Sequence, residues 1–237
     1  MIGIITPTGG RQIQINICEQ LMKRQTYQGD VVWVIIDDCL PRTTGQITHD
    51  RWKIINCHPS PNWKPETNTQ GRNISVGINE LMNYDLEAIF IIEDDDYYRP
   101  QYIEKMMTRL EGFQVAGEVD TIYYNVYFRR YFSNQNMKHA SLFQVAFRPD
   151  VIPIFRKCYM ERFIDAKFFQ LLAGNGVNLF PELKLAIGIK GLPGRPGIGA
   201  GHGKLMNMRT DNNMTYLTTL IGTDAKIYER YYGGLDM

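Results

Sequence analysis

Glu93, Asp94, Asp95 and Asp96 stand in a row directly after an apolar run, residues 88–92. Adjacent carboxylates repel one another, and burying them is costly unless cations or hydrogen bonds compensate. A second acidic pair, Asp37 and Asp38, closes the apolar run VVWVII at residues 31–36. An isolated acidic triplet is more often a solvated turn. Two acidic strand ends in one chain argue for a site, because open α/β sheets bind ligands beyond the carboxyl ends of their strands. Carboxylate oxygens are hard ligands, and one or two of them with substrate phosphates completing the shell suit Mg2+ or Mn2+. Arg72 lies near the start of an expected helix, itself an anion site, and stands between Gly71 and Asn73.

These residues need a scaffold of alternating strands and helices. Residues 2–5 read as a strand; Ile13, Ile17 and Leu21 then recur at helical spacing, on a helix ending near Gln25. Strands are expected at 31–36, 52–57 and 88–92, with a helix carrying Ile74, Ile78, Leu81 and Met82 before the last, and another opened by Pro100. This is the pattern of an α/β protein with a mostly parallel sheet. Residues 121–132 and 141–147 are β-branched and aromatic, and the polar SNQNMKH between them predicts a hairpin turn. A helix is expected over 161–173, a strand over 184–189, and a mobile connector in GLPGRPGIGAGHG, where Gly and Pro exclude regular structure. Residues 213–232 read as a helical, aromatic tail.

TPTGG after the first strand, RQTYQGDVVWVIIDD, QGRNISVGI and IIEDDDYYRP occur in the order and spacing of family 2 glycosyltransferases, which this chain resembles over roughly residues 1–190. The resemblance implies a GT-A fold: a nucleotide-binding half at about 1–98, an acceptor half at about 99–210, and a C-terminal helical extension at 211–237 packing on the same unit. It implies that the first-strand turn and the end of the second strand hold the nucleotide base, which carries over to Thr6, Pro7, Thr8 and Asp38. Arg72 would reach the nucleotide or its diphosphate. Asp94 and Asp95 fall on the positions for ribose and metal, and Asp96 serves in a literal Asp-x-Asp reading. The base of an inverting enzyme is, in that family, an Asp opening a helix with an apolar residue three on and a Gly nine on. Asp165 fits, with Phe168 and Gly174, and Glu161 is its competitor. The plain alternative for Asp165 is a helix-start charge that favours the macrodipole. His202, in the Gly-rich loop with Lys190, Arg195 and Lys204 near it in sequence, could complete the metal shell or touch the diphosphate. A disordered connector is the alternative there.

The chain departs from the family where Cys39 and Leu40 follow the acidic pair, and where Glu93 stands in place of a common Asp. The Gln-x-x-Arg-Trp motif of processive synthases is absent from the sequence. The resemblance thus implies metal-dependent, non-processive sugar transfer from a nucleoside-diphosphate sugar, with uracil the implied base.

Length and composition permit this reading. The 237 residues suit one large unit, 44% of them hydrophobic, and Lys plus Arg at 26 against Asp plus Glu at 25 gives no global field toward polyanions. No apolar run approaches the roughly 20 residues of a membrane span, the start lacks a basic leader, and the four cysteines show no Cys-x-x-Cys spacing. A cytoplasmic protein with reduced thiols is expected. Aromatics at 123–132 interleave with Arg129 and Arg130, followed by Lys138, His139 and Arg148; such a face could stack sugars or bind nucleic acid. The acceptor could be a glycan, a small molecule or a hydroxylated DNA base. A nucleotidyltransferase and a non-catalytic nucleotide-sugar binding module are the rival readings.

Overall fold

The structure is a computed structural model and describes residues 1–42, 47–65, 67–134, 137–181, 183–195, 197, 202 and 207–233. Its centre is a seven-stranded sheet in the order β10-β6-β9-β4-β1-β2-β3. β1 (Ile2–Thr8), β2 (Val31–Asp37), β3 (Lys53–Cys57) and β4 (Ala88–Ile91) are parallel neighbours. Helix α1 (Gln12–Lys23) links β1 to β2, and α2 (Gln70–Leu81) links β3 to β4. β1 and β2 are near-continuous apolar runs because both faces of this sheet are covered. Ile4, Trp33 and Ile35 pack in one core with Ile15, Cys18 and Leu21 of α1. Ile5, Val34 and Ile36 pack in the other with Ile74, Ile78 and Leu81 of α2.

After the two-residue β5 (Tyr97–Tyr98) and helix α3 (Tyr102–Leu110), β6 (Val115–Glu118) joins the far side of the central sheet. β7 (Thr121–Asn125) and β8 (Arg130–Asn134) form an antiparallel hairpin with Asn125 opposite Arg130. The hairpin's turn therefore spans 126–129, which corrects the expectation that SNQNMKH forms it. β9 (Val145–Phe147), expected as the hairpin's second strand, instead runs antiparallel between β4 and β6. Short helix α4 (Ile152–Phe155) precedes α5 (Ile164–Leu172) and β10 (Val177–Phe180), which pairs parallel with β6. β11 (Ala186–Lys190) runs between β5 and β7 in a second sheet whose edge is β12 (Arg209–Thr210). The chain then enters α6 (Thr215–Ile221) and a 3-10 helix, Gly222–Tyr231. Leu217, Leu220, Tyr228 and Tyr231 are buried in the same core as α1. Arg24 grips Asp224 through two hydrogen bonds of 3.0 and 2.7 Å, and the Tyr97 hydroxyl donates to the same carboxylate at 2.8 Å.

One close approach sets α2 against the segment before α5. A Cβ on Gly71, in the first turn of α2, would lie 1.9 Å from the Tyr159 carbonyl oxygen, so only glycine fits there. No helix among the described residues is long and apolar enough to cross a membrane.

Candidate active site

The carboxyl ends of β1 and β4 and the end of β11 converge on a cavity of about 400 Å³. Its wall takes Pro7, Thr8 and Arg11 from the β1–α1 turn, and Trp63, Thr69, Gln70 and Asn73 from the loop and first turn of α2. Glu93, Asp94 and Asp95 follow β4; Tyr123, Ser141 and Phe143 form another side, and Phe163 and Asp165 open α5. Lys190, Arg195, Gly197 and His202 complete it.

The acidic row is compensated from within the chain. Arg11 lies 2.9 Å from Asp94 and 2.7 Å from Asp95. The Lys190 ammonium, itself buried, lies 2.8 Å from Asp96 and 3.6 Å from Asp95. The Thr8 hydroxyl donates to Asp94 at 2.6 Å, the Ile189 N–H to Asp96 at 2.9 Å and the Gln70 amide to Glu93 at 2.9 Å. Two cations cannot balance four ionised carboxylates. Burial, only partly offset by Lys190, pushes Glu93 up to about 7; burial, opposed mainly by Arg11, pushes Asp94 up to about 6. Asp96 is raised well above the usual range, again by burial. For Asp95 burial acts in the same direction, but Arg11 and Lys190 outweigh it and hold the carboxyl below that range. Burial would lower the Lys190 ammonium, yet Asp95, Asp96 and Glu93 raise it.

A divalent cation fits this arrangement. Ionised, the row carries two negative charges more than Arg11 and Lys190 neutralise, and one buried Asp96 oxygen, Oδ2, has no hydrogen-bond partner. Oxygens of Glu93, Asp95 and Asp96 lie within 4.8 Å of one another. Of the expected set Asp95, Asp96 and His202, the two carboxylates therefore cluster with Glu93, and His202 stands with its Nε2 3.9 Å from Asp95. Burial and the neighbouring Lys190 push His202 down to about 4, so its ring is neutral near pH 7. The signs give a test. A carboxyl whose folded pKa is raised prefers to be neutral in the fold, so the cation-free protein loses stability as pH rises through about 6 to 7. A bound cation needs the carboxylates ionised. Mn2+ is therefore expected to raise the melting temperature more at pH 8 than at pH 5.5, and an equal rise at both would contradict this ligand set.

Asp165 lies in the first turn of α5, its Oδ1 accepting the Ala166 N–H at 2.8 Å. Burial raises its pKa; the Ala166 N–H and the charge of His139 oppose the rise. Glu161, its competitor, is exposed and off the wall of this cavity.

Other expected residues are placed differently. Thr6 is buried behind the wall, accepting the Trp33 indole N–H at 2.9 Å. Arg72 turns from the cavity to donate to the Pro61 carbonyl and, at 3.1 Å, to Asp38. Arg11, which carried no expectation from the sequence, holds the position beside the acidic row; its signal was a basic residue directly after TPTGG. Asp38 and Asp96 are fully buried and off the wall, whereas Pro7, Thr8, Asp94, Asp95, Asp165 and His202 lie on it. Three residues of the expected basic, aromatic face are engaged within the chain. Arg129 donates to the Asn212 carbonyl and sits over Tyr232, Arg148 is spent on the carbonyls of Phe113, Glu87 and Leu110, and Tyr124 is buried with its hydroxyl on Asp211. Lys204 and most of the Gly-rich stretch, 196, 198–201 and 203–206, lie outside the described residues.

No protein-family model matches the chain, and no curated protein is similar to it in sequence. Solved structures are. S. aureus TarS 1-349 in complex with UDP-GlcNAc superposes with a TM-score of 0.62 at 15% identity, over 83% of this chain and 59% of that one. A longer S. aureus TarS structure gives 0.57 at 15%, over 79% of this chain and 36% of that one. The mannosyltransferase PcManGT from Pyrobaculum calidifontis, in complex with GDP-Man and Mn2+, gives 0.55 at 10%, over 81% of this chain and 57% of that one. The chain thus spans between about a third and three fifths of the length of these proteins. At such identities the likeness is one of architecture: with its mostly parallel central sheet and a second, five-stranded sheet, the chain has the GT-A type of fold that these structures share.

Proposed function

We propose that the protein transfers a sugar from a nucleoside-diphosphate sugar to an acceptor hydroxyl, with inversion at the anomeric carbon and with the help of a divalent cation. One observation carries this: a single cavity combines a cation-compensated row of carboxylates with a separate, buried carboxylate opening a helix. The reaction needs both. As the acceptor oxygen bonds to the anomeric carbon, the bond from that carbon to the diphosphate oxygen breaks and its electron pair leaves with the diphosphate. Fixed positive charge where that negative charge grows stabilises the transition state more than the ground state. Arg11 and Lys190 supply it from the chain itself. Glu93, Asp95 and Asp96 would hold Mn2+ or Mg2+, with His202 beside them; a bound cation adds Lewis-acid stabilisation of the leaving diphosphate. Asp94 and the turn with Pro7 and Thr8 line the donor's path.

The acceptor proton must go to a base, and Asp165 takes that role. Burial makes its carboxylate more basic than one in water, and Glu161 is off the wall. The resembled family and the UDP-GlcNAc complex of TarS support a uridine donor; the GDP-Man complex of the mannosyltransferase keeps guanosine open. The acceptor is a hydroxyl of a glycan, small molecule or modified DNA base.

A thermal-shift panel of nucleotide sugars with and without Mn2+ tests the proposal, because a ligand that binds only the native state raises apparent stability. One nucleotide sugar should stabilise the protein, more strongly with Mn2+, and should be consumed when an acceptor is supplied. Stabilisation only by a nucleoside triphosphate, with pyrophosphate released, would replace this reading with nucleotidyl transfer.

A further inference from the structure

Asp38 is expected to read the donor's base, yet it has no exposed surface. Its Oδ2 accepts three donors: the Thr69 hydroxyl, the Asn73 amide at 2.8 Å and Arg72 at 3.1 Å. Its Oδ1 accepts Arg195 Nη1 at 2.7 Å. On the other side Gly9 packs so closely that a Cβ there would lie 2.3 Å from Oδ1. Arg195 comes from the stretch after β11, 157 residues along the chain. Its second arm donates to Thr69 at 2.9 Å, and its guanidinium carbon sits over the Trp63 ring, 4.3 Å from the centroid. The same stretch is pinned by the Gln14 amide, which donates to the Pro193 carbonyl at 2.9 Å.

A flat, hydrogen-bonding group over an indole, with one N–H on a buried carboxylate and another on a threonine, is the environment a nucleobase would occupy in this corner. Guanidinium planes stack on aromatic faces as bases do. With three donors on one Asp38 oxygen and Arg195 on the other, the carboxylate has no room to read a base. We infer that Arg195 is an internal stand-in for the donor's nucleobase: it fills the slot between Trp63 and Asp38, and the donor must displace it to bind. The inference rests on the nucleotide-sugar reading. It also restricts the ligand. A base that replaces Arg195 must bring an N–H to Asp38 Oδ1: uracil and guanine offer a ring N–H, whereas cytosine and adenine have only an exocyclic amino group to offer.

Calorimetric titration of UDP, GDP, CDP and ADP in Mg2+ tests this on the wild type and on Arg195→Ala and Trp63→Leu. Removing an internal competitor should tighten binding of UDP or GDP, whichever the protein prefers, by about tenfold, because the apparent affinity of a site scales with the fraction that is open. Trp63→Leu should weaken it by a similar factor, and CDP and ADP should stay weak throughout. Arg195 is only 17% exposed, so Arg195→Met, which keeps the aliphatic stem, replaces the alanine variant if that one does not fold. Nucleotide binding that is unchanged or weaker in the Arg195 variant would overturn the stand-in role while leaving the donor reading intact. Failure of every nucleotide to bind both proteins would overturn the donor reading, and this inference with it.

Discussion

Asp165→Asn is expected to bind donor as the wild type does and to transfer sugar about 10²–10⁴-fold more slowly, the range for loss of a positioned general base. The substitution keeps the shape of the side chain and the acceptor oxygen for the Ala166 N–H, 2.8 Å away in the wild type, so α5 should remain in place. What it removes is the capacity to take a proton. Titration has a fixed sign here. The base must be ionised, and burial raises its pKa; wild-type turnover should therefore fall as pH drops through a value above that of an ordinary aspartate. Single-turnover rates across pH, with donor affinity measured in parallel, check both parts. Turnover within a few-fold of wild type would remove Asp165 from its role.

Lys190→Met should show the second large effect, on stability. The ammonium is buried and lies 2.8 Å from Asp96 and 3.6 Å from Asp95, with Arg11 the other cation against the row. Breaking a buried ion pair by removing one partner costs about 3–5 kcal/mol, because the remaining charge is stranded. For a chain of this size that lowers the melting temperature on the order of 10 °C. Lys190 itself is raised by its partners, so its contribution is fully present at neutral pH and would be lost only in strong alkali. The variant, by contrast, should regain stability as pH falls from 8 to 5 and the stranded carboxyls protonate, and Mn2+ should restore part of it at pH 8. Calorimetric melting curves at the two pH values test this. A melting temperature equal to the wild type's would show that Lys190 is not part of the row's charge balance.

The acidic row was legible because the local conflict is visible in the sequence: four carboxylates directly after a run that must be buried. The remedy was only half visible. Lys190 meets Asp96 across 94 residues, and Arg11 reaches Asp94 and Asp95 from another turn, so composition along the chain could not pair them. The strands β1, β2 and β4 were legible for the same reason as the row, since two-sided burial leaves an unbroken apolar signature. β9 lies outside the expected hairpin: its three residues, Val145–Phe147, carry strand propensity but no sign of their partners, and those partners are in the central sheet. Thr6 and Thr8 read alike in TPTGG. Strand alternation separates them: Thr8 reaches the cavity, while Thr6 bonds Trp33 beneath it. Arg72 does lie in the first turn of α2, as its spacing predicts, but aims at Pro61 and Asp38 rather than into the cavity.

The proposed catalysis depends on the row after β4 gripping a cation together with a diphosphate. The paramagnetic resonance signal of free Mn2+ measures that directly. Adding wild-type protein and the preferred nucleoside diphosphate should remove about one equivalent of free Mn2+, beyond what the nucleotide alone takes up, while Asp95→Ala with the same nucleotide should remove none. Equal uptake by the two proteins, or none by the wild type, would contradict it.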